Sequence, residues 1–419
     1  MTLSLAVPDW ERKLAAGEPP LPELPLFTER GARWVRAFNM LRLADVPGTP
    51  TMGEAGAEWF RAIIALVFGS LDPVTRQRMI RELFLLVPKK NSKTTNGALA
   101  MLTALLLNER PRASFVMTAP VQDVAQLAFD AAAGAIQLDP VLEKKFHIRD
   151  HLKTIVHRES KATLEIMTFD PSVVTGLKVS GGALIDEVHE IAKQPKAAKA
   201  LRQMRGGMLP FPEAFLWMIT TQSDGAPVGV FKDELQKARD IRDGKRQGPM
   251  LPVLYEFPRA MQQDRDKPWR DPANWPMVTP NLGRSISLER LVEECKTAED
   301  TSEEELRAWA SQHLNIEIGL ALMADRWAGA DFWEACGSET LTLDALLERS
   351  EVVVVDRRWR TGRLARAGGD RPRPRDAEVA ALGARLGARD RTGAPEGDRR
   401  AAARVRARRR PHDGEGAGR

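Results

Sequence analysis

The apolar run Leu83-Phe84-Leu85-Leu86 gives way at Val87 to Pro88-Lys89-Lys90-Asn91-Ser92-Lys93-Thr94-Thr95, and a helical pattern, Gly97-Ala98-Leu99-Ala100-Met101-Leu102, follows at once. A buried strand, a short basic loop and a helix N-terminus in that order form a cradle for an anion. Backbone N–H groups and the positive end of the helix dipole point at it. If the anion is a nucleotide, Asn91, Ser92, Lys93, Thr94 and Thr95 are the candidate binding residues, with Lys93 reaching the β/γ-phosphates and Thr94 serving as a ligand to Mg²⁺. The spacing G-x-x-x-x-G-K-[ST] laid on Val87 to Thr94 matches only Lys93-Thr94, since Val87 and Ser92 occupy the glycine positions. A basic turn that merely opens a helix is the alternative at this point.

A second element adds weight. Gly181-Gly182-Ala183-Leu184-Ile185-Asp186-Glu187 reads as an apolar strand ending in two adjacent acids. In nucleotide hydrolases the first acid of such a Walker B pair holds Mg²⁺, and the second polarises the attacking water. Asp186 is therefore a candidate metal ligand beside Thr94, and Glu187 a candidate catalytic residue. Ser114 to Pro120 reads as a strand, and Gln122 to Ala133 then reads as a helix. Phe215 to Ser223 reads as a strand ending in the polar triplet Thr221-Gln222-Ser223. A triplet placed there often senses the γ-phosphate. Taken singly these are a solvated acidic turn and a simple turn; taken in order they point to an ATPase core.

Strand and helix patterns alternate from residue 83 to about 230, which predicts a mainly parallel α/β sheet with helices on both faces. Ligands in such sheets sit at the carboxyl ends of the strands, where the basic loop, the acid pair and the polar stretch all fall. Residues 1–55 form an N-terminal segment rich in proline and turn residues, with one helical stretch near Gly31 to Leu43. Residues 56–230 are the core. Within it Trp59 to Phe68 reads as an apolar helix, leading to a basic patch from Arg76 to Arg81. Residues 231–345 read as helical, interrupted by prolines from Pro252 to Pro280, with Trp309, Trp327 and Trp333 as packing mass. Val352 to Val355, within 346–355, reads as one further strand. No apolar run approaches the ~18 residues needed to span a membrane. Cys295 and Cys336, the two cysteines, form no metal motif. We expect no membrane association and a cytoplasmic protein.

The net charge of +5 conceals a division. From Asp356 to Arg419 there are 19 arginines, no lysines and 9 acids, which leaves 43 basic and 48 acidic residues in the rest. The body is therefore net acidic, and net charge gives no sign of a nucleic-acid binder there. The 356–419 segment lacks periodic apolar pattern, and we expect disorder.

The ordered set Pro88-Lys89-Lys90-Asn91-Ser92-Lys93-Thr94, Thr118-Ala119-Pro120 with Gln126, Leu184-Ile185-Asp186-Glu187-Val188-His189-Glu190 and Ile219-Thr220-Thr221-Gln222 resembles the large terminase subunit of tailed bacteriophages. His313-Leu314-Asn315, followed by Trp327 and Trp333, is similar to that family's connection between domains. A glycine-poor loop with lysines ahead of the key lysine is typical of it. The resemblance covers roughly residues 50–355. It implies an ATP- and Mg²⁺-dependent motor that packages double-stranded DNA into a procapsid, in the cytoplasm of a bacterial host. The implied partners are a portal protein, a small terminase subunit and further copies of the chain in a ring on the portal. Lys93 would bind phosphate, Thr94 and Asp186 would hold Mg²⁺, and Glu187 would activate water. Thr220, Thr221 and Gln222 would couple hydrolysis to movement, and Lys89 or Lys90 would stabilise transition-state charge.

The family also carries a C-terminal metal-dependent nuclease, and there the pattern breaks. Asp356 ends what looks like its first strand, but the arginine-rich segment that follows is unlike a nuclease. Read one base later, codons for Asp356 to Leu364 permit Ile-Asp-Gly-Gly-Gly-Leu-Asp-Asp-Leu, a strand with a ligand aspartate. We therefore expect a frame-shifted, nuclease-deficient chain, with a basic DNA arm as the alternative. Two other readings stay open: a DNA helicase or remodelling ATPase, which would need a second motor domain, and a non-enzymatic prophage remnant.

Overall fold

The computed structural model describes residues 4–24, 27–264 and 266–318. Eight strands form one sheet: β1 (Glu82–Leu86), β2 (Ser114–Ala119), β3 (Phe146–Arg149), β4 (Thr154–His157), β5 (Thr163–Thr168), β6 (Gly182–Asp186), β7 (Phe215–Thr220) and β8 (Met250–Leu254). Their order across the sheet is β3-β4-β5-β2-β6-β7-β1-β8. The six strands from β5 to β8 in that order pair in parallel. Only β4 runs antiparallel to its neighbours, β3 and β5. The expected mainly parallel α/β architecture is the one observed.

Both faces are covered. On one, Phe60 and Phe68 of the helix Glu58–Gly69 pack against Phe215 and Trp217 of β7. On the other, Phe231 of the helix Gly229–Arg242 stacks near Phe84 of β1. Burial on both faces explains why the central strands read as unbroken apolar runs instead of alternating ones. The helix Lys93–Leu106 lies so close to the sheet that a Cβ on Gly97 would come within 2.9 Å of Leu184.

The sheet extends past residue 230, where the sequence reading ended the core. β8, placed within the helical region by that reading, pairs with β1, and Pro252 stands opposite Phe84. A proline in a short apolar run argues against a strand, but it is tolerated at a sheet edge, where its missing N–H breaks no ladder. β3 and β4, four residues each, were also not anticipated. The remainder of the described chain, from Phe257 onward, is helical as expected. A second apolar cluster holds it together, including Trp269, Trp275, Trp309 and Leu314. Trp309 packs on Trp275, which is the packing role anticipated for it. Trp327, Trp333, Val352 to Val355, Asp356 and the 356–419 segment lie outside the described residues.

Gly181 and Gly182 open the acid-bearing strand because large rings occupy the space a side chain would take. A Cβ on Gly181 would lie 2.4 Å from the Phe115 ring, and one on Gly182 would lie 2.5 Å from the Phe215 ring. Gly182→Ala should therefore overpack the core and cost about 1–3 kcal/mol. A urea midpoint unchanged from the parent would show that the rings yield freely.

Candidate functional site

The parallel topology brings three strand ends together. β7 lies between β1, which feeds the basic loop, and β6, which ends in the acids. The polar stretch after β7 thus sits between the two halves of the site. The loop is fastened to it: Val87 N–H donates to the Thr220 carbonyl at 3.0 Å.

Within the loop, Lys90 and Ser92 adopt left-handed backbone conformations, with φ of +67° and +56°. A non-glycine residue there costs about 1–2 kcal/mol, which explains why glycine is the usual choice at the Ser92 position. Neighbours hold the conformation. Asn91 is fully buried, and its side-chain amide donates to the carbonyls of Pro88 and Lys89. Its Oδ1 accepts from the backbone N–H of Asn281 at 2.9 Å. Asn281 Nδ2 donates to Ser92 Oγ at 3.2 Å, while its Oδ1 accepts from the Trp59 indole at 3.0 Å. The Asn91 side chain is therefore committed to the scaffold, and only its backbone remains for an anion. Lys89 is anchored as well, its Nζ donating to Gln312 Oε1 at 2.7 Å. Burial lowers the pKa of Lys89, against the pull of Glu187. Lys90 is exposed and lines a separate groove with Arg284 and Arg290, away from the acids. Of the two candidate charge-stabilising lysines, Lys89 is therefore the one that the fold turns toward Glu187.

Lys93, Thr94, Asp186, Glu187 and Thr220 converge. Lys93, 6% exposed, places its ammonium 2.8 Å from Glu187 Oε1. Thr94 Oγ1 donates to Asp186 Oδ2 at 2.6 Å, and the other Asp186 oxygen accepts from the Glu187 N–H at 2.9 Å. Asp186 is fully buried; burial and the neighbouring Glu187 charge push its pKa up to about 7. Glu187 experiences the same burial, but Lys93 and His189 outweigh it and hold its carboxyl below the ordinary value. Glu187 itself has φ of +50° and ψ of +55°, a strained conformation for this residue type. Thr221 and Gln222 are fully buried. Gln222 N–H donates to Asn315 Oδ1 at 2.9 Å, and its Nε2 has no partner among the described residues. Thr95 is half-buried beside the loop.

His189, which the sequence reading gives a local structural role beside the acid pair, lies against Glu187. Its Nδ1 lies 3.3 Å from Glu187 Oε2 and 3.0 Å from Thr220 Oγ1. The available signal was its spacing, two residues after Glu187. Asn281 and Gln312 carried no such signal, since they lie more than 180 residues from the loop they support; Asn315, which the sequence reading places only in a connection between domains, bonds Gln222 instead.

The model of the terminase large subunit ATPase domain matches residues 58–240. That stretch, somewhat under half of the chain, is what resembles a terminase large-subunit ATPase domain. Among solved structures, the large terminase of bacteriophage HK97 is similar in fold, with a TM-score of 0.53 and 19% identity over 74% of this chain. This chain covers 59% of the HK97 protein's length. The ATPase domain of the Thermus phage P74-26 large terminase matches at a TM-score of 0.30, with 12% identity over 41% of this chain and 72% of that one. The large terminase of a thermophilic bacteriophage, in complex with ADP, matches at 0.28, with 15% identity over 48% of this chain and 45% of that one. No curated protein matches the chain. The family is the one the motif set resembled. No described helix is long and apolar enough to cross a membrane.

His189 is placed to orient Glu187. Its ring hydrogen-bonds Thr220 and lies 3.3 Å from Glu187 Oε2, so His189→Ala should loosen the orientation of Glu187 and slow ATP turnover by on the order of tenfold. Nucleotide affinity should change little, because His189 does not face the loop. An equal loss in KM and none in kcat would show that His189 serves binding instead.

Proposed function

We propose that this chain is the ATP-hydrolysing motor of a phage terminase, driving double-stranded DNA into a procapsid. The observation that carries the reading is the convergence of Lys93, Thr94, Asp186 and Glu187 at the carboxyl ends of β1 and β6, within a terminase ATPase domain. The proposed partners are a portal protein, a small terminase subunit and further copies of the chain in a ring.

In this reading Lys93 leaves Glu187 for the β/γ-phosphates, while loop N–H groups and the helix N-terminus bind the remaining oxygens. Thr94 and Asp186 fit Mg²⁺: they offer a hydroxyl and a buried carboxylate side by side, and that carboxylate has no ion-pair partner among the described residues. No cluster of three or more acids, histidines or cysteines surrounds them among the described residues. That suits an ion bound through one or two protein oxygens, with waters and phosphates completing its shell. When bound, Mg²⁺ would neutralise phosphate charge. Glu187, released by Lys93 and still oriented by His189, would accept the proton of the attacking water. Departure of Lys93 withdraws the main charge that holds the Glu187 pKa down, which makes the carboxylate a stronger base for that task. Lys89 is placed to add positive charge. Thr220, Thr221 and Gln222 are the proposed coupling residues, since they touch the loop, His189 and Asn315. We also retain as proposals the loss of the nuclease and a frame shift in the 356–419 segment.

Lys93→Ala should abolish measurable nucleotide binding and hydrolysis by removing the phosphate's cation. Glu187→Gln should slow hydrolysis by on the order of 10²-fold. It should bind ATP at least as well as the parent, because Lys93 then has no carboxylate to leave. Steady-state turnover and nucleotide titration of both variants decide the matter. Parental turnover in Glu187→Gln would remove Glu187 from the mechanism.

A further inference from the structure

The basic patch near Arg76 has no part in the nucleotide site, and the fold gives it a distinct setting. The segment Ser70–Arg81 runs along the amino ends of the strands: Arg81 N–H donates to the Pro249 carbonyl just before β8, and Arg78 donates to the Glu213 carbonyl just before β7. This is the end of the sheet opposite the phosphate loop. There Arg76 faces the helix Thr28–Met40, and the two enclose an open groove of about 540 Å³ lined by Arg30, Arg33, Arg36 and Arg76. Glu29 is the only acid in the lining. None of the four arginines has a carboxylate within ion-pair distance among the described residues, whereas Arg205, Arg239 and Arg242 elsewhere all do.

We propose that this groove seats the phosphate backbone of duplex DNA. The cluster is held in place instead of being free to spread. Gly31, Trp34 and Phe38 bury the inner side of the helix, with Trp34 stacked 3.7 Å from the Phe68 ring. Arg33 and Arg36 are thereby fixed on the exposed side. Arg30 spends its Nε on the Phe68 carbonyl, leaving its terminal nitrogens free to donate. The Arg76 guanidinium carbon sits 3.9 Å over the centre of the Phe27 ring, a contact that leaves its N–H donors for an anion. Like charges three residues apart on a helix repel, so the row destabilises the free fold unless an anion neutralises it. Its spacing selects the anion. Arg30 to Arg36 spans about 9 Å of helix axis. Each strand of a duplex offers one negative charge per about 3.4 Å of axis, so about three phosphates of the facing strand lie abreast of the three arginines. A fully acidic extended peptide offers one per about 3.4 Å, and only alternate side chains face the groove. The net acidity of the body conceals this cluster, which is why composition gave no sign of it. The occupant, though not the groove, rests on the DNA-handling reading above.

The test uses the full chain and a reagent that reports each arginine separately, so that contacts made by the 356–419 segment do not obscure the result. Phenylglyoxal modifies accessible guanidinium groups, and mass spectrometry locates the products. A short duplex at low salt should protect Arg33, Arg36 and Arg76 several-fold, and high salt should abolish the protection. Arg149, exposed at the far edge strand β3, should react equally with and without duplex. In parallel, the triple variant Arg33→Ala/Arg36→Ala/Arg76→Ala should lower the slope of log affinity against log salt by about 2.7, three contacts at ~0.9 each. Its ATP turnover without DNA should match the parent. Unchanged reactivity at the three arginines while anisotropy shows the duplex bound would overturn the proposal. Protection by polyglutamate but not by duplex would also overturn it, in favour of an acidic protein partner. Absent ATP turnover in the parent, with the protection intact, would count against the motor reading alone.

Discussion

The buried pairing of Lys93 with Glu187 is the contact around which the rest of the site is arranged. An ammonium 6% exposed cannot stand unpaired. Stripping a buried charge of its partner costs about 3–5 kcal/mol. The loop that presents Lys93 and the turn that presents Glu187 are both left-handed at non-glycine residues, so each stores strain in order to aim one charge at the other. A phosphate can enter only by replacing one anionic partner of Lys93 with another. The exchange is close to neutral for the lysine, and in the proposed mechanism it frees the carboxylate that hydrolysis would use. Asp186 is the complementary case. It has the Thr94 hydroxyl but no ion-pair partner among the described residues, and burial together with the Glu187 charge raises its pKa.

The sheet order sets the distances that make this possible. Had β1 and β6 been adjacent, the loop and the acids would lie one strand spacing apart, about 4.8 Å. β7 doubles that spacing and fills the gap with Thr220, whose hydroxyl accepts from the His189 N–H at 3.2 Å and also contacts its ring. Lys93 is long enough to cross the widened gap. A short side chain at its position would not be.

The fold was legible in the sequence where burial on both faces made the apolar runs continuous: β1, β2, β6 and β7 all fall where the runs predicted. It was illegible at the margins. β8 carries Pro252, which a local rule reads as a breaker and which only the edge position excuses. β3 and β4 are too short to establish a period. Site residues that are neighbours in the chain, such as Lys93-Thr94 and Asp186-Glu187, announced themselves through charge at strand ends. Residues that support the site through the fold did not. Asn281 is one of several asparagines in polar surroundings until the fold sets it against Ser92, Trp59 and the Asn91 side chain. The loop lysines misled in the other direction: Lys89 and Lys90 are equivalent on paper, yet the turn partly buries one and exposes the other.

The supporting residues share a location, and that location suggests how the site could act at a distance. Asn281, Gln312 and Asn315 all belong to the helical part that begins at Phe257. They meet three different points of the nucleotide site: Asn91 and Ser92, Lys89, and Gln222. Asn315 also donates to the Tyr255 carbonyl at 2.8 Å, bridging the end of β8 to the same hub. Any shift of the loop or of the Thr220–Gln222 stretch on phosphate binding must therefore break these bonds or carry the helical part along. Breaking them would leave buried polar groups unpaired, at about 1–3 kcal/mol each. Carrying a packed cluster as one body costs less. Physical coupling needs an element with two arrangements that both sites bias. In the proposed motor the helical part meets that description, because its contacts with the nucleotide site are specific hydrogen bonds and its own core is separate.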